Sequence, residues 1–330
     1  MPSNIKILPS GRSFPSEGSS TILEAGLHAG LALAYGCSNG NCGECLAKIV
    51  SGEVRKVRHH DYLISEEKRN SGHILMCCNT TLTDVVLEAP EAQSGFEIPQ
   101  QQIIARVKSI EFVNNNVALV HVKTPRTQRL RFLAGQQVQL GGEGLPKATH
   151  SISSCPCDDM NLHFQIPRLA DNEFSDHVFN YLKKGDAIKI VGPEGDFVLN
   201  ENSTRSLVFI AWHAGFAPIR SLIEHAMALE IAGSMKLVWM ARSKKDRYQD
   251  NLCRSWQDAF DNFEYLPVDT DLFEGAIDTT STLELLDIKP DKLQKYDFYV
   301  SGNETLIDAY EKRPGWTFMT TPSTRNNSGK

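Results

Sequence analysis

The segment Tyr35–Cys45, YGCSNGNCGEC, sets three cysteines and three glycines into eleven residues with almost no apolar side chains. Such a stretch has neither the 3.6-residue period of a helix nor the alternation of a strand, so no hydrophobic face can fix its shape. Something must bind the thiols. Cys37, Cys42 and Cys45 follow the spacing C-x4-C-x2-C, and a fourth cysteine, Cys77, lies downstream in GHILMCCNTTLTDVVLEA.

Four thiolates make a complete ligand shell. The spacing is that of a plant-type [2Fe-2S] cluster with its distant fourth cysteine, whereas structural zinc sites usually present two close C-x2-C pairs, and only one is found here. Gly36, Gly40 and Gly43 suit a loop that turns backbone N–H groups toward anionic sulfurs. Residues 1 to about 90 resemble a plant-type ferredoxin, in which the last ligand precedes a D-x-V-x-E-like segment. That register selects Cys77 over Cys78. The remainder of the module reads as a β-grasp: NIKILPS and GRSFPS as paired strands, STILEAGLHAGL as a helix capped by Ser20 or Thr21, CLAKIVSGEV and DVVLEA as strands.

With 330 residues, 41% hydrophobic and 22% charged, the chain is long enough for two or three domains with their own cores. The first residues lack the apolar core of a secretory signal, and no run approaches the about 18 apolar residues that cross a bilayer. A soluble, cytoplasmic protein is expected. A net charge of -6 without a basic block excludes an electrostatic footprint for nucleic acid. Eight cysteines in a reducing compartment are expected to hold metal or stay as thiols.

Residues 93–102 change composition to Pro, Gly and Gln and read as a linker. From 103 to 202 short alternating segments separated by Asn, Pro and Gly turns predict an antiparallel barrel, with the first helical period only near residue 174. From 203 to 312 strands and helices alternate, as in a parallel sheet with crossover helices, and 313–330 read as a polar tail. The expected fold is therefore multidomain α+β: a β-grasp ferredoxin domain over 1–92, an antiparallel flavin-binding β-barrel, and an α/β nucleotide-binding domain.

The ordered segments FLAGQQVQL, HSISS, NEFSDHVFNYLKKGD and VGPEGDF resemble the flavin barrel of the ferredoxin–NADP reductase superfamily. The three modules in this order resemble the reductase components of methane monooxygenase, phenol hydroxylase and CDP-6-deoxy-hexulose dehydrase systems. The resemblance implies FAD, NADH or NADPH, one [2Fe-2S] cluster and a partner protein that accepts single electrons. A nicotinamide gives two electrons at once and a cluster takes one, so a flavin is needed between them.

The resemblance also places a site. The family's flavin signature R-x-Y-S falls on Ala148, Thr149, His150 and Ser151, making His150 and Ser151 the candidate catalytic pair, with His150 free to stack on the ring, donate a hydrogen bond or carry charge. Lys147 or Arg168 would replace the absent arginine, and Ser175 would open a helix toward a phosphate. The family's A-G-G-T-G-I-A-P falls on AWHAGFAP, giving Trp212, His213, Gly215 and Pro218, and its C-G-P falls on Ser301, Gly302 and Asn303. These departures open a second reading, an iron–sulfur electron-transfer or scaffold protein without nicotinamide chemistry. His59, His60 and Asp61 read as a solvated loop, Cys155 and Cys157 as free thiols, Cys253 as packing, and Arg242 and Lys244 as a charged loop.

Overall fold

The computed structural model describes residues 2–92, 94–142, 144–231, 233–272, 278–310 and 315–320. The first domain is built on a mixed sheet. Its strands are β1 (Ser3–Leu8), β2 (Ser13–Ser16), β3 (Leu46–Ser51), β5 (His73–Leu75) and β7 (Val85–Glu88), in the order β2-β1-β7-β3-β5. A two-stranded ribbon pairs β4 (Val54–Lys56) with β6 (Asn79–Thr81), and a short helix α2 (Glu66–Asn70) leads into β5. Helix α1 (Ile22–His28) starts where its capping box dictates: Thr21 accepts from the Glu24 N–H, and the Glu24 carboxylate accepts from the Thr21 N–H. Its Ile22, Leu23 and Leu27 join Ile5, Ile7, Leu75 and Leu87 in one core.

Residues 90–102 are less free than their composition suggests. The Gly95 N–H donates to Asp196 at 3.0 Å, its carbonyl accepts from Gln136, and a Cβ on Gly95 would lie 2.4 Å from the Gly195 carbonyl. The linker is pinned to the barrel it introduces. That barrel is a six-stranded antiparallel sheet of β8 (Gln101–Val113), β9 (Val117–Lys123), β10 (Gln137–Gly142), β11 (Leu145–Ser151), β12 (Asn161–Pro167) and β13 (Ala187–Glu194), ordered β11-β10-β13-β8-β9-β12. Helix α3 (Glu173–Asn180) packs Phe174 and Val178 onto its core.

The third sheet is wholly parallel: β14 (Ser206–Trp212), β15 (Met235–Ala241), β16 (Phe263–Asp269), β17 (Tyr296–Gly302) and β18 (Trp316–Thr320), ordered β16-β15-β14-β17-β18. Its strands are continuously apolar because both faces are covered. Leu207, Phe209 and Ala211 face α4 (Phe216–Ala228) and α5 (Asp250–Ala259), while Val208 and Ile210 face α6 (Thr279–Leu285) and α7 (Glu304–Ala309). The expected tail from residue 313 therefore supplies the last strand of this sheet, with Trp316 stacked on Phe298 at 4.1 Å and 13°; residues 321–330 lie outside the described residues. Among the described residues no helix is long and apolar enough to cross a membrane.

The first domain docks on both others. Glu201 receives Arg12 and, at 2.9 Å, the ring of His225 from α4. The Arg131 guanidinium donates to the Ala32 carbonyl at 3.1 Å, and the buried Tyr35 phenol lies beside Asp159, whose carboxylate pairs with Arg129 at 3.1 Å.

Trp316→Ala should cost about 2 kcal/mol, less than the loss of a fully buried aromatic because Trp316 is half-exposed. Trp316→Phe, which keeps the stack, should recover most of it in a urea titration. Equal stability of all three proteins would deny β18 a structural part.

Candidate functional site

The thiol loop is shaped by what lies over it. Gly40 and Gly43 have φ of +89° and +82°, and Ser38 also takes a positive φ of 53°. A Cβ on Gly40 would meet His60 at 2.5 Å, and one on Gly43 would meet the Tyr62 ring at 2.3 Å. The segment His60–Tyr62 thus straps the loop down, with the Tyr62 N–H donating to the Gly40 carbonyl at 3.1 Å. His59 and Asp61 point to solvent, as the sequence suggests. The covering role of Tyr62 had no signal of its own in the sequence, since it arises from a contact across the loop.

The thiols fall into two pairs. Cys37 and Cys42 exchange backbone contacts, the Cys42 and Asn41 N–H groups reaching the Cys37 sulfur at 3.3 and 3.2 Å and the Cys37 N–H reaching the Cys42 sulfur at 3.3 Å. Cys45 and Cys77 are buried with their sulfurs 3.2 Å apart. Among the described residues no group of ligands converges on one metal ion. Two thiol pairs, rather than four thiols on one point, suit a two-iron cluster with one pair for each iron, and backbone donors aimed at the Cys37 and Cys42 sulfurs suit thiolates. The hydrogen bond between them separates the members of the inner pair: it lowers the Cys45 thiol, while, together with burial, it raises Cys77. Cys78 is buried 3.6 Å from the Cys77 sulfur, and its thiol is raised by burial.

The second site lies at the carboxyl ends of β14, β15 and β17, where the strand order reverses, the place where open α/β sheets take ligands. A cleft of about 350 Å³ opens there toward the barrel, lined among others by Arg168, Trp212, His213, Arg242, Lys245 and Tyr248. His213 takes a φ of +46°, the left-handed turn for which a glycine is usual. Gly215 is fixed by space: its Cβ would lie 2.2 Å from the Ser301 carbonyl. Gly302 likewise abuts Trp212, whose Cβ would be 2.9 Å away. Pro218 is buried in the first turn of α4, which no side chain caps. The cleft thus offers three cations, two aromatic rings and a helix N-terminus, a donor set that fits a dinucleotide.

The barrel residues are placed differently from expectation. On β11, Ala148 and His150 face the barrel core, and the His150 ring is covered by Phe174 at 5.3 Å and 34°. Burial pushes its pKa down to about 4, so it is neutral near pH 7 and carries no charge. Ser175 is the third residue of α3, because Asn172 is the cap. Its N–H donates to Asn172, while its hydroxyl accepts from the Leu169 N–H and donates to the Pro167 carbonyl. That hydroxyl is committed to holding the turn. Lys147 is exposed on the opposite face of the strand, over Gly141. Arg168 remains at the cleft, its guanidinium 4.4 Å from the Phe179 ring. Ser151 sits at the seam between the domains, donating to the Met319 sulfur of β18 at 3.3 Å. Of the positions the resemblance gave to a flavin, Arg168 and Ser151 stay at the seam and cleft, and Ala148, His150 and Ser175 are turned into the barrel's own structure. Cys155 and Cys157, expected as free thiols, are joined in a disulfide, whereas Cys253 is packed in the core.

Comparison with known proteins finds a family match over each of the two regions. Residues 5–83 match the family described as a 2Fe-2S iron-sulfur cluster binding domain, and residues 209–312 match the oxidoreductase NAD-binding domain. The CDP-6-deoxy-L-threo-D-glycero-4-hexulose-3-dehydrase reductase of Yersinia pseudotuberculosis is 31% identical over 309 residues, covering 93% of this chain and 92% of the relative. The reductase component of phenol 2-monooxygenase from Pseudomonas sp. is 27% identical, covering 80% and 75%. In fold, the chain is similar to a crystal structure of an Amycolatopsis cytochrome P450 reductase at a TM-score of 0.57 and 24% identity, covering 93% and 92% of the two chains.

Serine in place of Cys37, Cys42, Cys45 or Cys77 should deplete bound iron and visible absorption, while Cys78→Ser keeps both; equal loss for all five would reassign the ligands. Gly43→Ala, which has neither the φ nor the space, should deplete iron as well. The neutral His150 makes a second expectation. Its folded pKa lies below the unfolded value, so its contribution is complete above about pH 6.5 and is lost as pH falls toward 4, by up to about 3 kcal/mol. His163, also held down to about 4 chiefly by burial, adds to the same window. His150→Leu should flatten the fall of the urea midpoint between pH 6.5 and 4; an unchanged slope would locate the acid sensitivity elsewhere.

Proposed function

Since this chain belongs to the reductase components in which a plant-type [2Fe-2S] ferredoxin domain is fused to a ferredoxin–NADP reductase-like FAD/NAD module, we propose how its own residues carry that work. It is an NAD(P)H-dependent oxidoreductase that passes electrons to its [2Fe-2S] cluster for delivery to a partner. When bound, the flavin supplies the conversion between two-electron and one-electron transfer. The observation that carries the reading is the pairing of Cys37 with Cys42 and of Cys45 with the distant Cys77, the first three in a loop that runs, through Tyr35, directly into the contact with Asp159 and Arg129 of the barrel.

In this reading Arg242, Lys245 and Arg168 meet phosphates and Trp212 and Tyr248 offer planes for stacking. His213, its pKa lowered by burial, orients a neutral ring into the cleft. Ser151 stands at the seam where the nicotinamide and flavin would meet. Cys37 with Cys42 and Cys45 with Cys77 hold one iron each. The acceptor is a separate protein that takes single electrons, an oxygenase or a dehydrase, as the names of the similar reductases suggest. A cytoplasmic setting is supported by Cys78 and Cys253, which stay as thiols beside the four given to iron.

The test is an anaerobic absorption spectrum of the purified protein before and after NADH or NADPH. Rapid bleaching of the flavin and cluster bands by at least one nucleotide is expected, and Trp212→Gly should slow it. Inertness to both nucleotides with normal reduction by dithionite would favour the electron-transfer or scaffold reading. In that case glycine at both 212 and 213 should restore a response.

A further inference from the structure

Cys155 and Cys157 form the one disulfide among the described residues, in the loop that joins β11 to β12. A bridge that encloses a single residue constrains almost none of the unfolded chain, so it adds little as a staple. In a reducing compartment such a bond is more often transient or redox-sensing.

Its position gives it something to act on. Upstream, the loop continues from Ser151 at the domain seam. Downstream, it reaches Asp159, which is paired with Arg129 and lies beside Tyr35, two residues before the cluster ligand Cys37. Pro156 and Cys157 line an apolar cavity with Leu31, Leu33 and Tyr35 of the first domain. The other side of the loop is tied to α4: the Cys155 N–H donates to Glu224 at 3.2 Å, and Ser221 donates to the Ser154 carbonyl at 2.7 Å. One loop thus touches all three domains, and the disulfide closes its turn.

The two sulfurs are unequal. Cys155 is 8% exposed, while Cys157 is half-buried, and the Cys157 N–H donates to the Cys155 sulfur at 3.2 Å. An incoming thiolate meets Cys157 more readily, and a negative charge left on Cys155 already has a donor. We propose that Cys155 and Cys157 are a thiol–disulfide exchange site for a dithiol reductant, and that its redox state sets how firmly the ferredoxin domain docks on the barrel. The thiolate of the dithiol attacks the Cys157 sulfur, the sulfur–sulfur bond breaks, and Cys155 leaves with the electron pair and takes up a proton. The second thiol of the reductant then displaces Cys157, so the dithiol ends as a disulfide and the protein as two thiols. A disulfide such as oxidised glutathione reverses the sequence. The exchange stands on the loop's geometry alone; its effect on electron delivery rests on the reductase reading.

The experiment uses the full-length holoprotein, treated with dithiothreitol or left untreated, alkylated, freed of reagent and analysed by peptide mass. The peptide holding both cysteines should be unmodified without dithiothreitol and gain two alkyl groups with it, while the buried Cys253 stays unlabelled. In single variants, oxidised glutathione should modify Cys157 in Cys155→Ser about tenfold faster than Cys155 in Cys157→Ser. Two free thiols in untreated protein, a bridge that resists dithiothreitol in the folded state, or equal glutathione rates would overturn the exchange site. At unchanged iron content, opening the bridge should lower NAD(P)H-dependent reduction of cytochrome c, which draws on the cluster, by about fivefold. Reduction of ferricyanide, which draws on the flavin, should hold, and the double Cys→Ser variant should behave as the opened protein does. Unchanged cytochrome c reduction, or an equal fall with both acceptors, would overturn the docking half while leaving the alkylation result intact.

Discussion

The first domain must hold Cys37, Cys42 and Cys45 in a loop with no core of its own and set the last of them against Cys77 in the core. The solution is steric and local. Gly40 and Gly43 lie with positive φ under His60 and Tyr62, where no Cβ has room, and the N–H groups of Cys37, Asn41 and Cys42 are turned onto sulfur. Burying such sulfurs without donors would be costly. Because the same loop begins at Tyr35, its fixed shape also fixes the surface that meets Asp159 and Arg129. The cluster site and the docking site are two ends of one rigid segment.

That docking is polar at its rim and apolar within. Arg131 is half-buried near Tyr35, Glu44 and Glu97, and its pKa is lowered by burial while those groups pull it back up. A half-buried cation of this kind adds little net stability but constrains register, because its bond to the Ala32 carbonyl forms in one docked position. Arg12 and His225 converge on Glu201 in the same way at the other edge. The first domain is thus held by charges that tolerate one orientation, which is what transfer between two fixed cofactors requires.

The sequence was most legible where one residue type decides one structure. The C-x4-C-x2-C spacing, the Thr21–Glu24 capping box and the change from alternating to continuous apolar strands near residue 206 each have a local cause. It was least legible where a side chain's role depends on what packs over it. His150 occupies a flavin position in register, yet Phe174 from a helix over twenty residues away turns it into core. Ser175 reads as a phosphate ligand until Asn172 is seen to cap the helix in its place. Trp316 belongs to a strand whose sequence, beside a polar run, lacks a strand's usual bounds, and its pairing with Phe298 is purely tertiary. The bridge between Cys155 and Cys157 has no spacing signal, since C-x-C is rare as a disulfide motif.

The turn after β14 shows why the missing glycines do not unmake the site. A glycine-rich turn there can serve two separate needs: a positive φ, and closeness of backbone to backbone or to ligand. In this chain they are met by different residues. His213 takes the left-handed conformation itself at some cost in strain, and the Trp239 indole N–H holds its carbonyl at 3.1 Å. Gly215 and Gly302 keep the contacts that leave no room for Cβ, against Ser301 and Trp212. What changes is the wall of the cleft, where glycine would have left backbone and this chain presents an indole and an imidazole 5.0 Å apart. The turn's architecture is therefore retained while the wall of the cleft is rewritten, and in the proposed reading a dinucleotide would meet aromatic faces as well as backbone amides.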